Sequence, residues 1–314
     1  MPHGLGADAE GPLMDDAAFR QSVVGAAEVA ALFDASPWVT RYELYHRKRG
    51  TIATPDFNAV VDGKPENERV YFGVKLEPIV IEAACERWGY VPEPTPERLT
   101  NGKGLGGHPD RIVICPQRGR GILEVKTADW LVVKGWGEEP PLNYLLQSQV
   151  YAGLAGVAWA DLIVLVGGNE LRRFQYEARP ALFAEIERRV ATFWDDVREG
   201  HEPPVDYTRD GKALVEVLGD PTEELADLRD DLTAEQWAID FAAGKAMRDA
   251  GEAQMEAAKT RLIERIGTAG KALLPSFRLA ANRPKDTPDR VAKEGEIIKG
   301  RRGYRRFDLK EIAA

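Results

Sequence analysis

The chain has 314 residues, enough for one large domain with an appendage or for two modest domains, and its 44% hydrophobic and 30% charged residues are typical of a folded protein. Its 51 acidic and 42 basic residues give a net charge of −9, which argues against a generally basic nucleic-acid coat but leaves room for a local basic groove. The two cysteines, Cys85 and Cys115, exclude a disulfide framework, an all-cysteine zinc site and a four-cysteine iron–sulfur cluster.

Neither a membrane segment nor a secretory signal is visible in the sequence. No apolar run reaches the roughly 18 residues that a membrane helix needs, and the N-terminus lacks a basic-then-apolar segment. We therefore expect a soluble cytoplasmic protein without membrane partners. Residues 1–16 mix glycine, proline and acidic residues without periodicity, which predicts a flexible tail.

The next part of the chain has mainly helical periodicity. The predicted elements are helical turns within Ala17–Gly50 that restart after Ser36-Pro37, a helix over Tyr42–Arg49, a loop over Thr51–Asn67 and a helix over Val70–Trp88. Pro78 lies inside the last of these, so that helix either begins or kinks there.

A β-rich part with further helices follows. Its predicted elements are strands over Gly106–Ile114 and Gly121–Thr127, a helix over Pro141–Val157, strands over Ala160–Val166 and Glu170–Tyr176, and an amphipathic helix over Pro180–Glu199. A nearly continuous apolar strand is typical of a sheet that is covered on both faces. The sequence therefore predicts the α/β class, with a short mixed β-sheet flanked by helices.

The sequence changes character near His201–Pro204 and becomes acidic and helical. Thr233 and Gln236 are spaced as a capping box, which predicts a helix from Thr233 to Ile266. Phe277–Leu279 and Tyr304–Leu309 look β-like. A basic cluster formed by Arg301, Arg302, Arg305 and Arg306 overlaps the second of these segments. We expect a core over residues 17–204 and a mainly helical C-terminal extension over residues 205–314 that ends in this β-like basic segment.

The most informative residues lie on the first two predicted strands. Asp110 lies on the first, and Glu124, Val125 and Lys126 lie on the second. Alternate residues of a strand face the same side, so Glu124 and Lys126 project together, and hairpin pairing would bring Asp110 beside them. Two carboxylates with an adjacent ammonium suit a hard divalent cation and a polarised water. A solvated strand edge is the alternative, although both strands are otherwise apolar.

Two further polar residues fit the same site. Glu77 lies on the preceding helix and could add a carboxylate, or it could be an ordinary exposed helix glutamate. Gln147 shares an apolar helix face with Tyr151, so it needs a polar partner. A water or phosphate in the site would serve, and a core hydrogen bond is the alternative. His108 could ligate a metal or simply shape the turn before Asp110.

The ordered set of motifs resembles the YqaJ-type viral recombinase family, the lambda exonuclease-like group of PD-(D/E)XK nucleases. The resemblance spans roughly Phe19–Pro204. It is carried by Val24–Val29, Ser36-Pro37-Trp38, Gly73–Pro78, His108-Pro109-Asp110, Glu124–Thr127 and Gln147–Tyr151. Each motif alone is common, so the specificity lies in their order. The resemblance implies a PD-(D/E)XK nuclease core over residues 17–204.

The resemblance also implies roles for individual residues. The implied catalytic set is Lys126, Glu124, Asp110, Gln147 and Glu77, and the implied metal-binding set is Asp110, Glu124, the carbonyl of Val125, and Glu77. The metal would be Mg²⁺ or Mn²⁺, with Glu77 completing or neighbouring a second metal position. Lys126 would orient or activate the attacking water, and Gln147 would position that water or the scissile phosphate.

Contacts to DNA are expected from a basic region near the N-terminus. The resemblance implies that Arg20 meets a terminal 5′-phosphate, although Ala27 stands where the family commonly has serine or threonine, which weakens the expected dependence on that phosphate. Arg41, Arg47 and Lys48 could contact backbone phosphates, with a solvated helix face as the alternative.

The resulting hypothesis is a metal-dependent exonuclease that degrades linear double-stranded DNA, 5′ to 3′, and leaves 3′ single-stranded overhangs for phage-type recombination. The family further implies a bacterial or phage-infected host cytoplasm, a homo-oligomer such as a ring trimer, and a single-strand annealing protein as partner. One alternative is a DNA-end-binding or assembly protein on an inactive nuclease fold, against which Asp110, Glu124 and Lys126 argue. The other is an endonuclease of the same fold, which would cut a closed circle.

Overall fold

A computed structural model of the chain describes residues 15–56, 59–61 and 64–283, together with the backbone of residues 290–291, 297–298 and 308–311. The chain divides into two compact units, residues 1–222 and residues 223–314. Most of the tail predicted for residues 1–16 lies outside the described residues, as do the four C-terminal arginines Arg301, Arg302, Arg305 and Arg306.

The first unit combines helices with two main β-sheets. Its helices are α1 (Asp16–Ser22), α2 (Arg41–Arg49), α3 (Glu68–Trp88), α4 (Trp130–Lys134), α5 (Leu142–Ala155), α6 (Pro180–Glu199) and α7 (Gly211–Leu218), with a 3-10 helix at Val29–Phe33. Its strands are β1 (Val24–Gly25), β2 (Val60–Val61), β3 (Lys64–Pro65), β4 (Val91–Pro92), β5 (Leu99–Thr100), β6 (Leu105–Gly107), β7 (Arg111–Cys115), β8 (Gly119–Ala128), β9 (Trp159–Val166) and β10 (Glu170–Glu177).

The larger sheet has the strand order β10-β9-β8-β7-β4. Strands β8 and β9 pair in parallel and the other neighbours pair antiparallel, so the sheet is mixed. Along β8 the side chains alternate between two cores: Ile122 packs with Leu146 of α5, and Leu123 packs with Val80 of α3. Helices therefore cover both faces, which confirms the predicted short mixed β-sheet flanked by helices.

A smaller sheet, with the order β1-β6-β5, corrects two predicted elements. The residues predicted as helical within Ala17–Gly50 include a strand, because Val24 pairs in parallel with Leu105. The single strand predicted over Gly106–Ile114 is wrong, since β6 and β7 belong to different sheets. The break falls at Pro109, which has no backbone N–H for a ladder and restricts the preceding backbone.

Helix α3 runs without interruption through Pro78. Proline at this position removes the hydrogen bond to the carbonyl of Val74, but the helix is long enough to continue on both sides. The Asn67 side chain caps its start, accepting from the Val70 amide at 3.2 Å, and Gly89 ends it with a positive φ of 69°. The segment predicted as a loop before α3 also carries the short antiparallel pair β2–β3.

The first unit extends beyond Pro204, where the sequence placed the end of the core. Helix α7 follows that proline and contributes Ala213 to a small buried cluster with Tyr42 and Ile52. The compact unit consequently ends at residue 222.

The second unit contains helix α8 (Leu232–Ile266) and five short strands, β11 (Lys271–Leu273), β12 (Phe277–Ala280), β13 (Arg290–Val291), β14 (Ile297–Ile298) and β15 (Asp308–Glu311). Strands β11, β12 and β15 form one antiparallel sheet, and β13 pairs with β14. The predicted long helix near the C-terminus is confirmed. Within the described part of the chain, no helix is both long and apolar enough to cross a membrane.

Candidate active site

Asp110 sits at the start of the β7–β8 hairpin. Arg111 pairs with Leu123 in the antiparallel ladder, so Asp110, one residue earlier, comes opposite the middle of β8. Its Oδ2 accepts a 2.6 Å hydrogen bond from the backbone amide of Val125. Burial raises the pKa of Asp110, against the opposing effects of the Lys126 ammonium and this amide. The register of the hairpin thus brings Asp110, predicted on the first strand, beside Glu124 and Val125, predicted on the second.

Glu124 is fully buried on the face of the sheet that α5 covers. Its Oε1 accepts a 2.5 Å hydrogen bond from Nε2 of Gln147 and a second bond from Nζ of Lys126. Its Oε2 is buried and has no hydrogen-bond partner among the described residues. Burial, followed by repulsion from Asp110, raises the pKa of Glu124 to about 8. A carboxylate in this position needs a cation to remain ionised at neutral pH.

Lys126 is the cation nearest to these carboxylates. Burial lowers the pKa of Lys126, but the negative charges of Glu124 and Asp110 outweigh burial and raise the pKa above its usual value. The surrounding negative charge therefore favours the protonated ammonium form of Lys126.

Glu77 approaches the same site from helix α3. Its side chain is half-buried, and burial, followed by repulsion from Asp110, raises the pKa of Glu77 to about 7. Lys126 and Arg111 oppose this shift. Three acidic groups, from helix α3, strand β8 and the residue before β7, therefore interact across the site.

Helix α5 supplies the polar residues that face the carboxylates. Besides Gln147, it contributes Tyr151, whose hydroxyl donates a 2.8 Å hydrogen bond to the carbonyl of His108. This contact ties α5 to the loop that presents Asp110. Sequence reasoning gave Tyr151 no role, but its spacing four residues after Gln147 placed both on one helix face, which was the available signal.

Gln149 resembles Gln147 in sequence but has a structural role. Its Nε2 donates to the carbonyl of Glu177 at 3.0 Å, and its Oε1 accepts from the Arg179 amide at 2.6 Å. Gln149 therefore fastens α5 to the end of β10, on the side of the helix away from Glu124.

The residues at this site fit a divalent cation. Asp110, Glu124 and Glu77 carry three potential negative charges against the single charge of Lys126, and the unpartnered Oε2 of Glu124 is a ligand atom without a proton donor. Hard cations prefer such oxygen ligands. In the described ranges no three His, Cys, Asp or Glu side chains are gathered around one point. The fit therefore rests on the carboxylates of Asp110 and Glu124.

Residues 17–158 match the family described as the YqaJ-like viral recombinase domain. The chain contains a YqaJ-like viral recombinase domain. This confirms the family inferred from the order of the motifs, and the matched range includes Glu77, Asp110, Glu124, Lys126 and Gln147.

Comparison with other proteins gives remoter similarities. No curated protein matches the sequence. Among solved structures, the chain is similar to an alkaline exonuclease, LHK-Exo from Laribacter hongkongensis, at 19% identity over 63% of this chain and 97% of that one, with a TM-score of 0.46. It is also similar to a phage-related exonuclease from Haemophilus somnus 129PT, at 14% identity over 55% of this chain and 83% of that one, with a TM-score of 0.37.

Two of the four basic residues predicted to contact DNA are partly exposed on the YqaJ-like domain. Arg20 lies on α1, where its Nε donates to Oδ2 of Asp16 at 2.7 Å. Arg41 starts α2, and its Nη2 donates to the carbonyl of Leu32 at 2.9 Å. Both side chains keep solvent-exposed surface. Ala27 is also exposed and offers no hydroxyl.

The other two basic residues are held within the YqaJ-like domain. The ammonium of Lys48 is buried, donates to the carbonyl of Arg20 at 2.8 Å and pairs with Glu28 at 2.7 Å. Arg47 is mostly covered and pairs with Glu43 one turn earlier, at 2.6 Å. The geometry assigns Lys48 to the packing of α1 and the segment before the 3-10 helix against α2, because a buried, doubly partnered ammonium cannot reach a phosphate in solvent.

His108 is engaged away from the carboxylates. Its Nε2 lies 2.8 Å from Oδ1 of Asp16, and the ring of Phe19 packs edge-on against it with centroids 5.3 Å apart. This arrangement favours the interpretation in which His108 shapes the turn before Asp110.

Proposed function

We propose that this protein is a metal-dependent exonuclease of DNA recombination, which degrades linear double-stranded DNA from 5′ ends and leaves 3′ single-stranded overhangs in a bacterial or phage-infected cytoplasm. The observation that carries the proposal is the buried carboxylate of Glu124, which has an unpartnered oxygen and lies beside Asp110 and Lys126. Burying such charges is costly unless a cation and an anionic substrate use them. The YqaJ-like domain supports a nuclease role in recombination.

The metal would be Mg²⁺ or Mn²⁺, held by Asp110, Glu124 and the Val125 carbonyl, with Glu77 beside it. When bound, it would supply a Lewis acid that polarises the phosphate and lowers the pKa of a water molecule. The protein's own groups prepare this site: the Val125 amide fixes the Asp110 carboxylate, and Gln147 fixes that of Glu124.

Lys126 would act as a fixed positive charge. Because its pKa is raised, its ammonium stays protonated and can stabilise the negative charge that develops on the phosphate during attack. Gln147 is a neutral donor, so it orients Glu124 without cancelling the charge that the cation requires.

Recognition of the DNA end is assigned to the exposed basic side chains. Arg20 would contact the terminal 5′-phosphate and Arg41 a backbone phosphate. Since Ala27 provides no hydroxyl, we propose that a 5′-phosphate accelerates digestion without being required. A ring trimer and a single-strand annealing partner for the 3′ overhang complete the proposal.

The test uses linear duplex DNA labelled at its 5′ ends, with and without 5′-phosphate, in Mg²⁺ or in EDTA. The proposal predicts early release of labelled mononucleotide in Mg²⁺ and no release in EDTA. A closed circular duplex should remain intact. Nicking of the circle would replace the exonuclease by an endonuclease, and DNA-end binding without nucleotide release would indicate an inactive fold.

A matched pair of variants separates the site from general effects of charge. Asp110→Asn removes one proposed ligand, and Asp195→Asn makes the same change at an exposed residue of α6 that pairs with Arg198. We expect the first variant to lose digestion and the second to retain it. Equal activity of both variants would contradict the proposed site.

A further inference from the structure

Helix α8 exposes large apolar side chains along its length. It has 35 residues, which corresponds to about 50 Å, and none of them is buried. Trp237, Phe241 and Met255 are 63%, 78% and 69% exposed. Isolated helices are marginally stable in water, and exposed aromatic side chains on a helix favour its association with a partner.

Trp237, Phe241 and Met255 lie on one stripe with the spacing of a coiled coil, whereas the exposed Leu232, Ile239 and Met247 lie off it. Alternating steps of three and four residues define one stripe, formed by Ala234, Trp237, Phe241, Gly244, Arg248, Gly251, Met255, Ala258 and Leu262. This is the heptad repeat that brings two helices together along a shared seam. Along this stripe, large and small residues are distributed unevenly, which restricts how it can pair.

We propose that α8 pairs with α8 of a second copy of this chain as an antiparallel two-stranded coiled coil, centred between Arg248 and Gly251. The interface is isologous, so each contact occurs twice by two-fold symmetry. This inference does not depend on the proposed nuclease function, because it involves only residues of α8.

Antiparallel pairing about this centre matches large residues with small ones. The facing pairs, each between one copy and the other, are Trp237 with Leu262, Phe241 with Ala258, Met255 with Gly244, and Arg248 with Gly251. Each glycine therefore makes room for a long side chain. In a parallel pair, Gly244 would face Gly244 and Arg248 would face Arg248, which leaves voids and places like charges together.

The charges beside the stripe are complementary in the same register. Asp240 of one copy comes opposite Arg261 of the other, and Lys245 comes opposite Glu252. Asp240 already lies on the helix surface, where its Oδ1 accepts from Gln236 at 3.0 Å. No like-charged residues face each other at these flanking positions. Charged residues beside a coiled-coil seam set its orientation, and here both pairs select the antiparallel one.

The charges provide a test in the full-length protein. Asp240→Arg replaces two attractions by two repulsions, so it should raise the dissociation constant of the α8 pair by roughly tenfold. Asp240→Arg combined with Arg261→Asp restores opposite charges and should restore the affinity. Glu256→Arg makes the same reversal away from the seam and should change little. Sedimentation over a range of concentrations measures association, and circular dichroism checks that the helix remains formed.

If the first unit forms the proposed ring trimer, pairing through α8 joins two rings into an assembly of six chains. In either case the expected wild-type mass is an even multiple of the chain mass, and Asp240→Arg should halve it at low concentration. The halving applies whether or not the first unit makes additional contacts between copies. A wild-type mass that is an odd multiple, equal effects of Asp240→Arg and Glu256→Arg, or failure of the double reversal to restore association would overturn the proposal.

Cysteine cross-linking tests the orientation separately. In the antiparallel pair, Gly244→Cys of one copy faces Met255→Cys of the other, so the double variant should oxidise to a disulfide-linked dimer. Neither single variant should cross-link, and both serve as controls for Cys85 and Cys115. Cross-linking of Gly244→Cys alone would indicate a parallel pair and would contradict the proposed geometry, as would a double variant that does not cross-link.

Discussion

Nε2 of Gln147 donates a 2.5 Å hydrogen bond to Oε1 of Glu124 and thereby joins helix α5 to strand β8. An amide can hold a carboxylate in place without adding charge. The bond therefore fixes one oxygen of Glu124 while the second, Oε2, stays buried and without a partner among the described residues. The result is a rigid anionic group that only a cation or a proton can neutralise.

This relationship predicts an unusual pH dependence of stability when no divalent metal is present. The pKa of Glu124 is raised to about 8 and that of Glu77 to about 7, from the ordinary glutamate pKa of 4.5. Between pH 4.5 and these raised pKa values, the folded state holds protons that the unfolded chain has released. The free energy of unfolding therefore falls as the pH rises. The loss should amount to several kcal/mol at pH 8, because one pKa unit corresponds to about 1.4 kcal/mol. Thermal unfolding in EDTA from pH 5 to pH 8 measures it.

Divalent metal should oppose this loss of stability, and one substitution should make it smaller. Mg²⁺ at pH 8 should raise the unfolding temperature, because it compensates the same charges that protons neutralise at low pH. Glu124→Gln should flatten the pH profile in EDTA, whereas Glu86→Gln, at an exposed position of α3, should leave its slope unchanged. A profile that is flat in the wild-type protein would contradict the assigned charge balance.

A second prediction concerns Lys126. Lys126→Met keeps the aliphatic stem but removes the ammonium that lies against Glu124. If the fixed charge stabilises the transition state, the single-turnover rate of DNA digestion should fall by roughly 100- to 1,000-fold. Lys103→Met, in an exposed turn, is the matched control and should digest DNA at the wild-type rate. Equal rates for both variants would remove Lys126 from the chemistry.

The convergence of Asp110, Glu124 and Lys126 could be inferred from sequence because it depends on local structure. Two strands joined by a short turn pair antiparallel, and alternation along the second strand puts Glu124 and Lys126 on one side. The position of Gln147 opposite them needed the packing of α5 on the sheet. Helical spacing indicated which face was apolar, but it did not specify the partner of a polar residue on that face.

Features that depend on distant parts of the chain were not predicted. The break at Pro109 sends β6 to pair with Val24, far earlier in the sequence, and the pattern of residues 106–114 contains no information about that partner. Lys48 looked like a surface cation because its neighbours are basic. Its burial depends on Glu28 and on the carbonyl of Arg20, which reach it from other elements.

A third prediction concerns a buried ion pair that stabilises the sheet. Arg118 contacts the fully buried carboxylate of Asp161 with both terminal nitrogens, at 2.8 and 2.9 Å, and stacks 4.0 Å above the ring of Trp159. Arg118→Ala leaves the Asp161 charge without its cation and should lower the free energy of unfolding by about 3–5 kcal/mol. Chemical denaturation measures the change.

Arg120 offers a control from the same hairpin. It pairs with Glu93 at 2.8 Å, but its side chain is largely exposed. Arg120→Ala should therefore lower the free energy of unfolding by less than about 1 kcal/mol. If the two alanine variants were equally stable, the Arg118–Asp161 pair would not have the structural role assigned to it.

The fourth prediction is a loss of stability in mild acid that originates at His46, measured with saturating Mg²⁺ so that the carboxylates of the candidate site do not take up protons. This side chain is buried between the rings of Tyr42 and Tyr45, and its Nε2 lies 3.5 Å from Glu202. Burial lowers the pKa of His46, despite the opposing effect of Glu202. As the pH falls below about 6.5, the unfolded chain binds a proton at this residue before the folded state does, so the free energy of unfolding decreases.

His46→Phe removes this proton uptake and should give a shallower decline between pH 6.5 and pH 5, measured by denaturation at each pH. His201→Phe changes an exposed histidine and should retain the wild-type slope. Identical slopes for the wild-type protein and His46→Phe would show that the acid sensitivity originates elsewhere.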